Sequence, residues 1–381
     1  MSRSWDVFCR VIDNYGDAAV SWRLARELSS EHGGRVRLWV DALPALHALC
    51  PRIDPALSRQ AIEGVEVCAW GVDARFGEPA EVVVEAFGCG LPEAYVESMA
   101  ARHRAPLWII LEYLSAEPWV TTHHKLPSPH PRLALQRHFF FPGVVQGTGG
   151  VLRESTLEPR RLAFESAPDA RAQFWHRLGF APPGGQDLVV SLFGYENPAA
   201  EALLDAWSGG EAGVVVAVPR GRLRPQVCAF FGTQDPGDGQ TLRKGRLEAR
   251  FLPFLPQSGY DELLWACDWN CVRGEDSFVR AQWARRPFLW QIYPQADSAH
   301  ETKLQAFLQV YCQGLEPVLA GDLRAFWAVW NAGGEGSTLP AAWKRLRARQ
   351  PELKRHAGFW AEKLALPGEL AANLAHYCKN D

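Results

Sequence analysis

Short apolar runs alternate with longer amphipathic stretches along the N-terminal half of the chain. Residues 7–12 are β-branched and aromatic, which predicts a strand that ends in the polar turn 13–17. Three apolar residues recur at helical spacing behind this turn, and they predict a helix: Val20, Leu24 and Leu28. Further strands are predicted at 35–40, 65–70, 81–87 and 107–114, and a helix at 92–103. Near-continuous apolar strands that alternate with helices indicate a parallel sheet covered on both faces.

The C-terminal half repeats this alternation after a polar connection at 153–183. Strands are predicted at 187–193, 213–219, 248–254, 269–273 and 287–293. Helices are predicted at 198–207, at 259–266 and from Phe278, and the chain is mostly helical from His300 onward. The pattern therefore predicts two Rossmann-like halves with a helical tail, and a ligand site in the cleft between the halves.

Composition narrows the class of protein. A chain of 381 residues, 47% of them hydrophobic and 22% charged, is expected to form about two globular domains. The net charge of −3 provides no positive field for a nucleic acid. The nine cysteines are odd in number and scattered, which predicts reduced thiols in a cytoplasmic protein. No apolar run reaches the roughly 18 residues that cross a membrane, and no signal peptide is recognised.

Asp13 and Asp17 form the first candidate site. In a parallel sheet, ligands bind beyond the carboxyl ends of the strands, which is where the turn 13–17 is expected to lie. A pair of carboxylates there could clamp a guanidinium group or act as a general base. The alternative is helix capping and turn formation, which is the commoner use of aspartate in this position.

A second candidate follows the strand predicted at 269–273. Arg273 and Gly274 lead through Glu275 and Asp276 to Ser277 at a helix start. Free N–H groups at a helix N-terminus, together with the charge of Arg273, suit a diphosphate. Because a carboxylate is repelled by a diphosphate, Glu275 is better suited to sugar hydroxyls or to shaping the site. Capping by Asp276 or Ser277 is an equally acceptable interpretation of this segment.

Aromatic residues follow two other strands of the same predicted sheet. Phe193 and Tyr195 come after one strand, and Phe254 and Gln257 come after another. Such rings can stack on a nucleobase while an amide bonds to its edge, although most strand-end aromatics serve packing. The shared sheet edge makes it reasonable that these loops converge with 273–277.

Several common cofactor motifs are missing from the sequence. Neither GxxxxGK[ST] nor GxGxxG follows the first strand, which argues against a P-loop ATPase or a dehydrogenase. The histidines at 123, 124 and 130 and the CxxxC of Cys267 and Cys271 lack the spacing of a metal site. No metal is predicted.

Four segments together resemble the bacterial elongation factor P arginine rhamnosyltransferase family, EarP: WDVFCRVIDNYGDAAVSWRLAREL, FGYEN, FLPFLPQ and DWNCVRGEDSFVRAQWARRPFLWQIYPQ. The resemblance extends over essentially the whole chain. It implies an α/β protein of the GT-B glycosyltransferase fold, with two facing Rossmann-like domains and a cleft between them. Residues 1–155, joined by the C-terminal helix at about 360–381, would form the acceptor-side domain, and residues 180–355 would bind the nucleotide sugar.

The resemblance also implies a reaction. Rhamnose would pass from dTDP-β-L-rhamnose to one arginine of elongation factor P, with inversion and without a metal or cofactor. The implied catalytic residues are Asp13, Asp17 and Glu275, with Asp17 as the favoured general base. Implied to bind the nucleotide sugar are Asn14, Tyr15, Gly16, Phe193, Tyr195, Phe254, Gln257, Arg273, Gly274, Glu275, Asp276 and Ser277. The chain has Ala18 and Ala19 where the family has Ile-Gly, which bears on the backbone beside the donor.

Two other functions remain open at this point. One is a glycosyltransferase or epimerase that uses another nucleotide sugar and a small-molecule acceptor. The other is a non-catalytic partner of elongation factor P that only binds a nucleotide sugar. The acceptor separates the first from a protein-arginine transferase, and loss of turnover in Asp17→Asn would separate the second.

Overall fold

The computed structural model describes residues 3–13, 15–71, 74–294, 299–334 and 336–380, which fold into two α/β units. The first unit is Met1–Ser155 with Lys363–Asp381, and the second is Thr156–Glu362. The chain therefore returns at its C-terminus to the unit in which it began.

The first unit holds an eight-stranded sheet in the order β3-β4-β2-β1-β5-β6-β8-β7. Its elements are β1 (Ser4–Cys9), α1 (Gly16–Ser30), β2 (Arg35–Val40), α2 (Leu43–Leu49), β3 (Arg59–Ile62), β4 (Val65–Ala69), β5 (Val82–Ala86), α3 (Glu93–Ala100), β6 (Leu107–Leu111), α4 (Val120–His123), β7 (Pro127–Pro129) and β8 (Gln136–Phe140). The strands from β4 to β8 along this order run parallel, so that their carboxyl ends meet at one edge.

The second unit holds a six-stranded sheet in the order β11-β12-β10-β9-β13-β14. The elements from Leu157 onward are α5 (Leu157–Ser166), α6 (Ala170–Arg177), β9 (Leu188–Leu192), α7 (Ala199–Ser208), β10 (Val214–Val218), α8 (Arg224–Phe230), β11 (Thr241–Lys244), β12 (Leu247–Phe251), α9 (Gln257–Ala266), β13 (Trp269–Arg273), α10 (Asp276–Trp283), β14 (Phe288–Gln291), α11 (Ala299–Tyr311), α12 (Pro317–Asn331), α13 (Leu339–Ala348), α14 (Gln350–Leu364) and α15 (Leu370–Asn380). The last helix, α15, belongs to the first unit and contacts α1.

Both sheets are mixed, whereas the hydrophobic pattern predicted parallel sheets. The edge strands β3, β7 and β11 pair antiparallel with their neighbours. Between β3 and β4 the chain turns at Glu63 and Gly64, both with positive φ (51° and 78°), which is the backbone of a tight hairpin. Such a short connection permits only antiparallel pairing.

The strand predicted at 7–12 begins and ends three residues earlier in the structure, where β1 is Ser4–Cys9. The backbone N–H of Val11 donates to the Asp41 carboxylate (2.9 Å) instead of to a neighbouring strand. Ile12 is 61% exposed although it is apolar. The prediction was wrong here because an apolar run can continue after strand pairing stops, and residues 10–12 belong to the loop that carries the first candidate site.

A buried carboxylate fixes β1 within its sheet. Asp6 is fully buried and accepts hydrogen bonds from the Arg37 guanidinium (2.5 and 2.6 Å), the Trp39 indole (3.1 Å) and the Ala80 backbone N–H (3.0 Å). The Tyr95 hydroxyl donates to the same carboxylate. Because the charge is paired and hydrogen-bonded, its burial is tolerated. The network anchors the strand from which the site loop emerges.

The central strands β5, β9 and β10 are buried along their whole length, so that both faces of each sheet are covered there. All nine cysteines lie among the described residues as buried free thiols. Within the described part of the chain, no helix is both long enough and apolar enough to span a bilayer.

Candidate active site

Asp17 lies at the start of α1 and is 2% exposed. Its Oδ2 accepts the backbone N–H groups of Ile12 (2.8 Å) and Asp13 (2.9 Å), both in the preceding loop. The N-cap of α1 is Tyr15, whose side chain makes no capping hydrogen bond. Asp17 therefore does not cap α1. Its carboxylate accepts N–H groups of the preceding loop, which is the turn-forming part of the alternative interpretation.

Tyr113 contributes a third hydrogen bond to this carboxylate. Its hydroxyl donates to Oδ1 of Asp17 (3.2 Å), and its ring stacks on Phe87 with centroids 4.4 Å apart and planes at 17°. Phe87 has a φ of 58°, a left-handed backbone that side chains adopt at a cost of about 1–3 kcal/mol. A strained backbone that positions a ring beside a buried acid is typical of a functional site.

Sequence reasoning missed both Tyr113 and Phe87. They follow β6 and β5, as Asp13 follows β1, and these three strands are neighbours in the order β1-β5-β6. The signal that could have found them is this position beyond the carboxyl ends of parallel strands.

The environment of Asp17 raises its pKa. Burial is the largest cause, because it disfavours the charged form, and the nearby charge of Asp13 adds to it. The hydrogen bonds from Asp13, Ile12 and Tyr113 act in the opposite direction. A carboxylate with a raised pKa is a stronger base than an ordinary aspartate, which suits proton transfer near neutral pH.

Asp13 is half-buried beside the start of α1. Its carbonyl accepts the N–H of Gly16 (2.6 Å), and a Cβ on Gly16 would lie 2.8 Å from its Oδ2. Glycine is therefore needed at position 16 for the Asp13 carboxylate to keep this place. Tyr15 is half-buried next to it, whereas Asn14 lies outside the described residues.

In the second unit, Arg273 lies between two aromatic rings. Its guanidinium carbon is 4.7 Å from the ring centroids of both Phe193 and Tyr195, and the residue is 4% exposed. Rings at this distance attract a cation and restrict its motion. The structure thus brings the loop after β9 and the end of β13 together, with both rings close to the arginine.

The turn after β13 is held by Ser277. Its hydroxyl accepts the backbone N–H of Arg273 (3.1 Å) and donates to the Arg273 carbonyl. The N-cap of α10 is Glu275, and its side chain makes no capping hydrogen bond. Gly274 has a φ of 62°, which favours glycine. The serine hydroxyl therefore stabilises the turn itself, and neither Asp276 nor Ser277 is the N-cap of α10.

The remaining candidates lie around the start of α9. Gln257 is its first residue and is buried, and Phe254 is half-buried in the loop before it. Tyr260, on the same helix, packs its ring against the edge of Phe193 with centroids 5.6 Å apart. Through this contact α9 joins the aromatic loop that flanks Arg273.

A buried ion pair that sequence reasoning also missed ties α9 to α10. Nε and Nη2 of Arg280 each lie 2.8 Å from an oxygen of Asp261, and both side chains are almost completely buried. Such bidentate pairs hold a specific geometry. The start of α10, where the second candidate site lies, is therefore fixed relative to α9.

Among residues 3–13, 15–71, 74–294, 299–334 and 336–380, no group of three or more His, Cys, Asp or Glu side chains is arranged to hold a metal ion. The positive groups available at the second site are the Arg273 guanidinium and the N–H groups at the start of α10.

Comparison with known proteins gives matches over the full length. The family described as elongation factor P (EF-P) rhamnosyltransferase EarP matches residues 5–379. A protein-arginine rhamnosyltransferase of Pseudomonas aeruginosa is 46% identical over 374 residues, 98% of each chain. One from Shewanella oneidensis is 37% identical over 98% of this chain and 97% of its own.

Solved structures agree with this. One described as the structural basis for EarP-mediated arginine glycosylation of translation elongation factor EF-P matches with a TM-score of 0.71 and 34% identity over the whole of both chains. The MurG structure of Acinetobacter baumannii matches with a TM-score of 0.52 at 10% identity over both whole chains, which supports the fold alone. The fold is that of the GT-B glycosyltransferases.

Proposed function

Because the chain belongs to the EF-P rhamnosyltransferase family EarP, we propose that it uses dTDP-β-L-rhamnose as the donor, with inversion at the anomeric carbon. The protein is a glycosyltransferase that transfers rhamnose to an arginine of EF-P. The observation that carries this conclusion is the family match over residues 5–379.

The acceptor sets the first chemical requirement. A guanidinium group has a pKa above about 12 and is a poor nucleophile while charged, so a proton must leave as the new bond forms. Asp17 takes that proton as the general base, which its raised pKa supports. Asp13 orients the guanidinium through its charge, and Tyr113 holds the Asp17 carboxylate in place.

The donor sets the second requirement. As the glycosidic bond breaks, negative charge develops on the diphosphate and must be stabilised. The Arg273 guanidinium, held between Phe193 and Tyr195, supplies positive charge, and the N–H groups at the start of α10 add to it. These groups supply the charge that a divalent metal supplies in other enzymes, so we expect no metal requirement.

The other residues hold the rest of the donor. Glu275, at the N-cap of α10, accepts hydrogen bonds from the sugar hydroxyls. Phe254 stacks on the thymine ring and Gln257 bonds to its edge. Asp276, Gly274 and Ser277 complete the turn around the diphosphate. In the first unit, Tyr15 and Gly16 also bind the nucleotide sugar.

The transfer is a single displacement. An arginine nitrogen attacks the anomeric carbon from the face opposite the diphosphate, and the bond between that carbon and the diphosphate oxygen breaks. The electron pair leaves with dTDP, and the arginine proton passes to Asp17. One bond forms as another breaks, which inverts the configuration. We place this reaction in the cytoplasm, where the buried thiols stay reduced.

Intact-protein mass spectrometry tests the proposal. Unmodified EF-P is incubated with the protein and dTDP-β-L-rhamnose in the presence of EDTA. We expect EF-P to gain one deoxyhexose on a single arginine, and free arginine to gain none. A requirement for added divalent metal would overturn the metal-independent step. If dTDP binds but no mass is gained, the small-molecule glycosyltransferase and the non-catalytic binding partner become the better explanations.

A further inference from the structure

Gln291 lies at the end of β14 and contacts both loops of the second candidate site. Its Oε1 accepts the backbone N–H of Tyr195 (2.9 Å), and its Nε2 donates to the Glu196 carbonyl (3.4 Å). Its own backbone carbonyl accepts the N–H of Gly274 (3.3 Å). The residue is 6% exposed, so little water competes for these bonds. One residue of β14 thus bonds to the loop after β9 and to the turn after β13.

The contact with the first loop is tight. A Cβ added at Gly194 would lie 2.7 Å from Oε1 of Gln291 and 3.0 Å from the Leu223 side chain. A side chain at position 194 would therefore displace the Gln291 amide or the Leu223 side chain from its present place. The small size of residue 194 and the hydrogen bond from the Tyr195 N–H to the Gln291 side chain therefore belong to the same local arrangement.

The neighbouring residue on β14 secures the other loop. The Trp290 indole N–H donates to the Gly274 carbonyl (2.7 Å), and its ring stacks on Phe278 of α10 with centroids 3.8 Å apart. The backbone N–H and the carbonyl of Gly274 are thus both hydrogen-bonded to β14, one to Gln291 and the other to Trp290. The chain bends at Gly274, whose φ is 62°.

We propose that Gln291 is a positioning residue for donor binding: it holds the loop 193–197 against the turn 273–277 and so keeps Arg273 between its two rings. Gln291 itself touches no substrate. The rings of Phe193 and Tyr195 define the place of the guanidinium, and Gln291 holds the backbone that carries Tyr195. When this tie is lost, the rings separate and Arg273 no longer meets the diphosphate in a fixed geometry.

This inference rests on the proposed use of a nucleotide-diphosphate sugar, and steady-state kinetics test it. Gln291→Met keeps the length of the side chain and removes both polar atoms. We expect the KM for dTDP-rhamnose and the Kd for dTDP to rise about fivefold to tenfold, which is the effect of losing one or two buried hydrogen bonds. The KM for EF-P is expected to stay within about twofold, because the acceptor carboxylates are unchanged.

Asn270→Ala is the matched control. Asn270 is buried at the opposite end of β13, where its amide donates to the Leu264 carbonyl (3.0 Å). The control loses a buried hydrogen bond between β13 of the same sheet and α9, and it is expected to lower the melting temperature without changing the donor KM. If Gln291→Met behaves like Asn270→Ala, with lower stability but an unchanged donor KM, the role is structural and the proposal is wrong.

A second variant keeps the proposal testable if Gln291→Met folds poorly. In Gly194→Ala the new methyl group displaces the Gln291 amide from the Tyr195 N–H, so it should also raise the donor KM. The double variant should be no worse than the more severe single one, because both changes break the same tie. Effects that multiply in the double variant would contradict the proposal. Wild-type protein that neither binds dTDP nor transfers rhamnose would instead overturn the proposed function.

Discussion

Asp17 is held in a way that serves catalysis at the expense of stability. Its carboxylate is buried, its pKa is raised mainly by that burial, and it lies beside a second carboxylate. A folded-state pKa above the ordinary value of about 3.9 means that folding favours the protonated form. The contribution of Asp17 to stability therefore falls as the pH rises from that value through its folded pKa, and at neutral pH its charge is unfavourable.

Asp17→Asn is predicted to separate activity from stability. The kcat should fall by about 10²–10⁴, the usual contribution of a general base, while dTDP binding is retained. At pH 7 the melting temperature should equal or exceed that of the wild type, because the variant removes a buried charge. Rhamnose transfer and differential scanning fluorimetry on the same samples measure both quantities.

The same variant can contradict the assignment in two ways. If dTDP binding falls together with kcat, Asp17 acts on the donor and is not the base. If activity survives in Asp17→Asn but is lost in Asp13→Asn, the proton passes to Asp13.

Tyr113→Phe is predicted to change the pH dependence of the reaction. The Tyr113 hydroxyl stabilises the charged form of Asp17 and lowers its pKa, so its loss should raise that pKa further. As the pH falls, kcat should therefore begin to decline at a higher pH in the variant than in the wild type. At alkaline pH, where Asp17 is ionised in both proteins, the two rates should approach each other.

Tyr377→Phe serves as the control for this profile. It also removes a tyrosine hydroxyl from the first unit, one that bonds to His138 Nδ1 at 2.7 Å. Its pH profile should match that of the wild type. An unshifted profile in Tyr113→Phe would mean that Asp17 does not titrate in the rate-limiting step.

The limits of prediction for single residues follow from distance along the chain. Asp13 and Asp17 could be proposed as a pair because they are four residues apart and follow a strand. Tyr113 could not, because its bond to Asp17 spans 96 positions and depends on the strand order β1-β5-β6. The cation between two rings at Arg273 likewise needs β9 and β13 as neighbours.

At the level of the secondary-structure elements, the turn between β13 and α10 is predicted to determine how tightly dTDP binds. Gly274 has a φ of 62°, where a side chain costs about 1–2 kcal/mol, and both of its polar groups are bonded to β14. Gly274→Ala should therefore move Glu275 and the start of α10. We expect weaker dTDP binding and a lower kcat, which isothermal titration and transfer assays measure.

Gly314→Ala is the matched control for this backbone change. Gly314 has a φ of 85° in the turn between α11 and α12, and a Cβ there would meet nothing within 4 Å. The variant should lose similar stability and keep the dTDP affinity of the wild type. If Gly274→Ala and Gly314→Ala bind dTDP with equal affinity, the turn between β13 and α10 is not part of the donor site.

The elements also show which strands a hydrophobic pattern can locate. β2 and β13 lie at the predicted bounds, because a polar or glycine residue follows each run directly at Asp41 and Gly274. β1 ends earlier than predicted because the run continues through Val11 and Ile12 after pairing stops. β8 was not predicted at all, because its first residues are polar and only partly buried at that side of the sheet.

At the scale of the whole molecule, the C-terminal segment completes the first unit. α15 contacts α1, and the Asn373 amide donates to the Gly149 carbonyl (3.0 Å). A Cβ on Gly150 would lie 2.1 Å from the Gly368 carbonyl oxygen, so the two backbones approach closely. Leu374 of α15 packs in the core of the first unit and is 0% exposed.

Leu374→Ala is predicted to destabilise the first unit by about 2–5 kcal/mol, because it leaves a cavity where α15 packs. The proposed donor site lies in the second unit, so dTDP should stabilise that unit alone. Calorimetry of the variant should then show two transitions, of which only the upper one moves to higher temperature with added dTDP. Leu366→Ala, the same change at a position that is 66% exposed, should melt like the wild type.

A single transition in Leu374→Ala that moves with dTDP would contradict this prediction. It would mean that the two units unfold as one cooperative body, so that a cavity in the first lowers the stability of the second. The donor would then protect the acceptor carboxylates against thermal unfolding through that coupling. Two transitions would instead mean that the first unit, which holds Asp13 and Asp17, unfolds by itself. Its stability would then depend on the packing of the C-terminal segment Lys363–Asp381 and not on a nucleotide bound to the second unit.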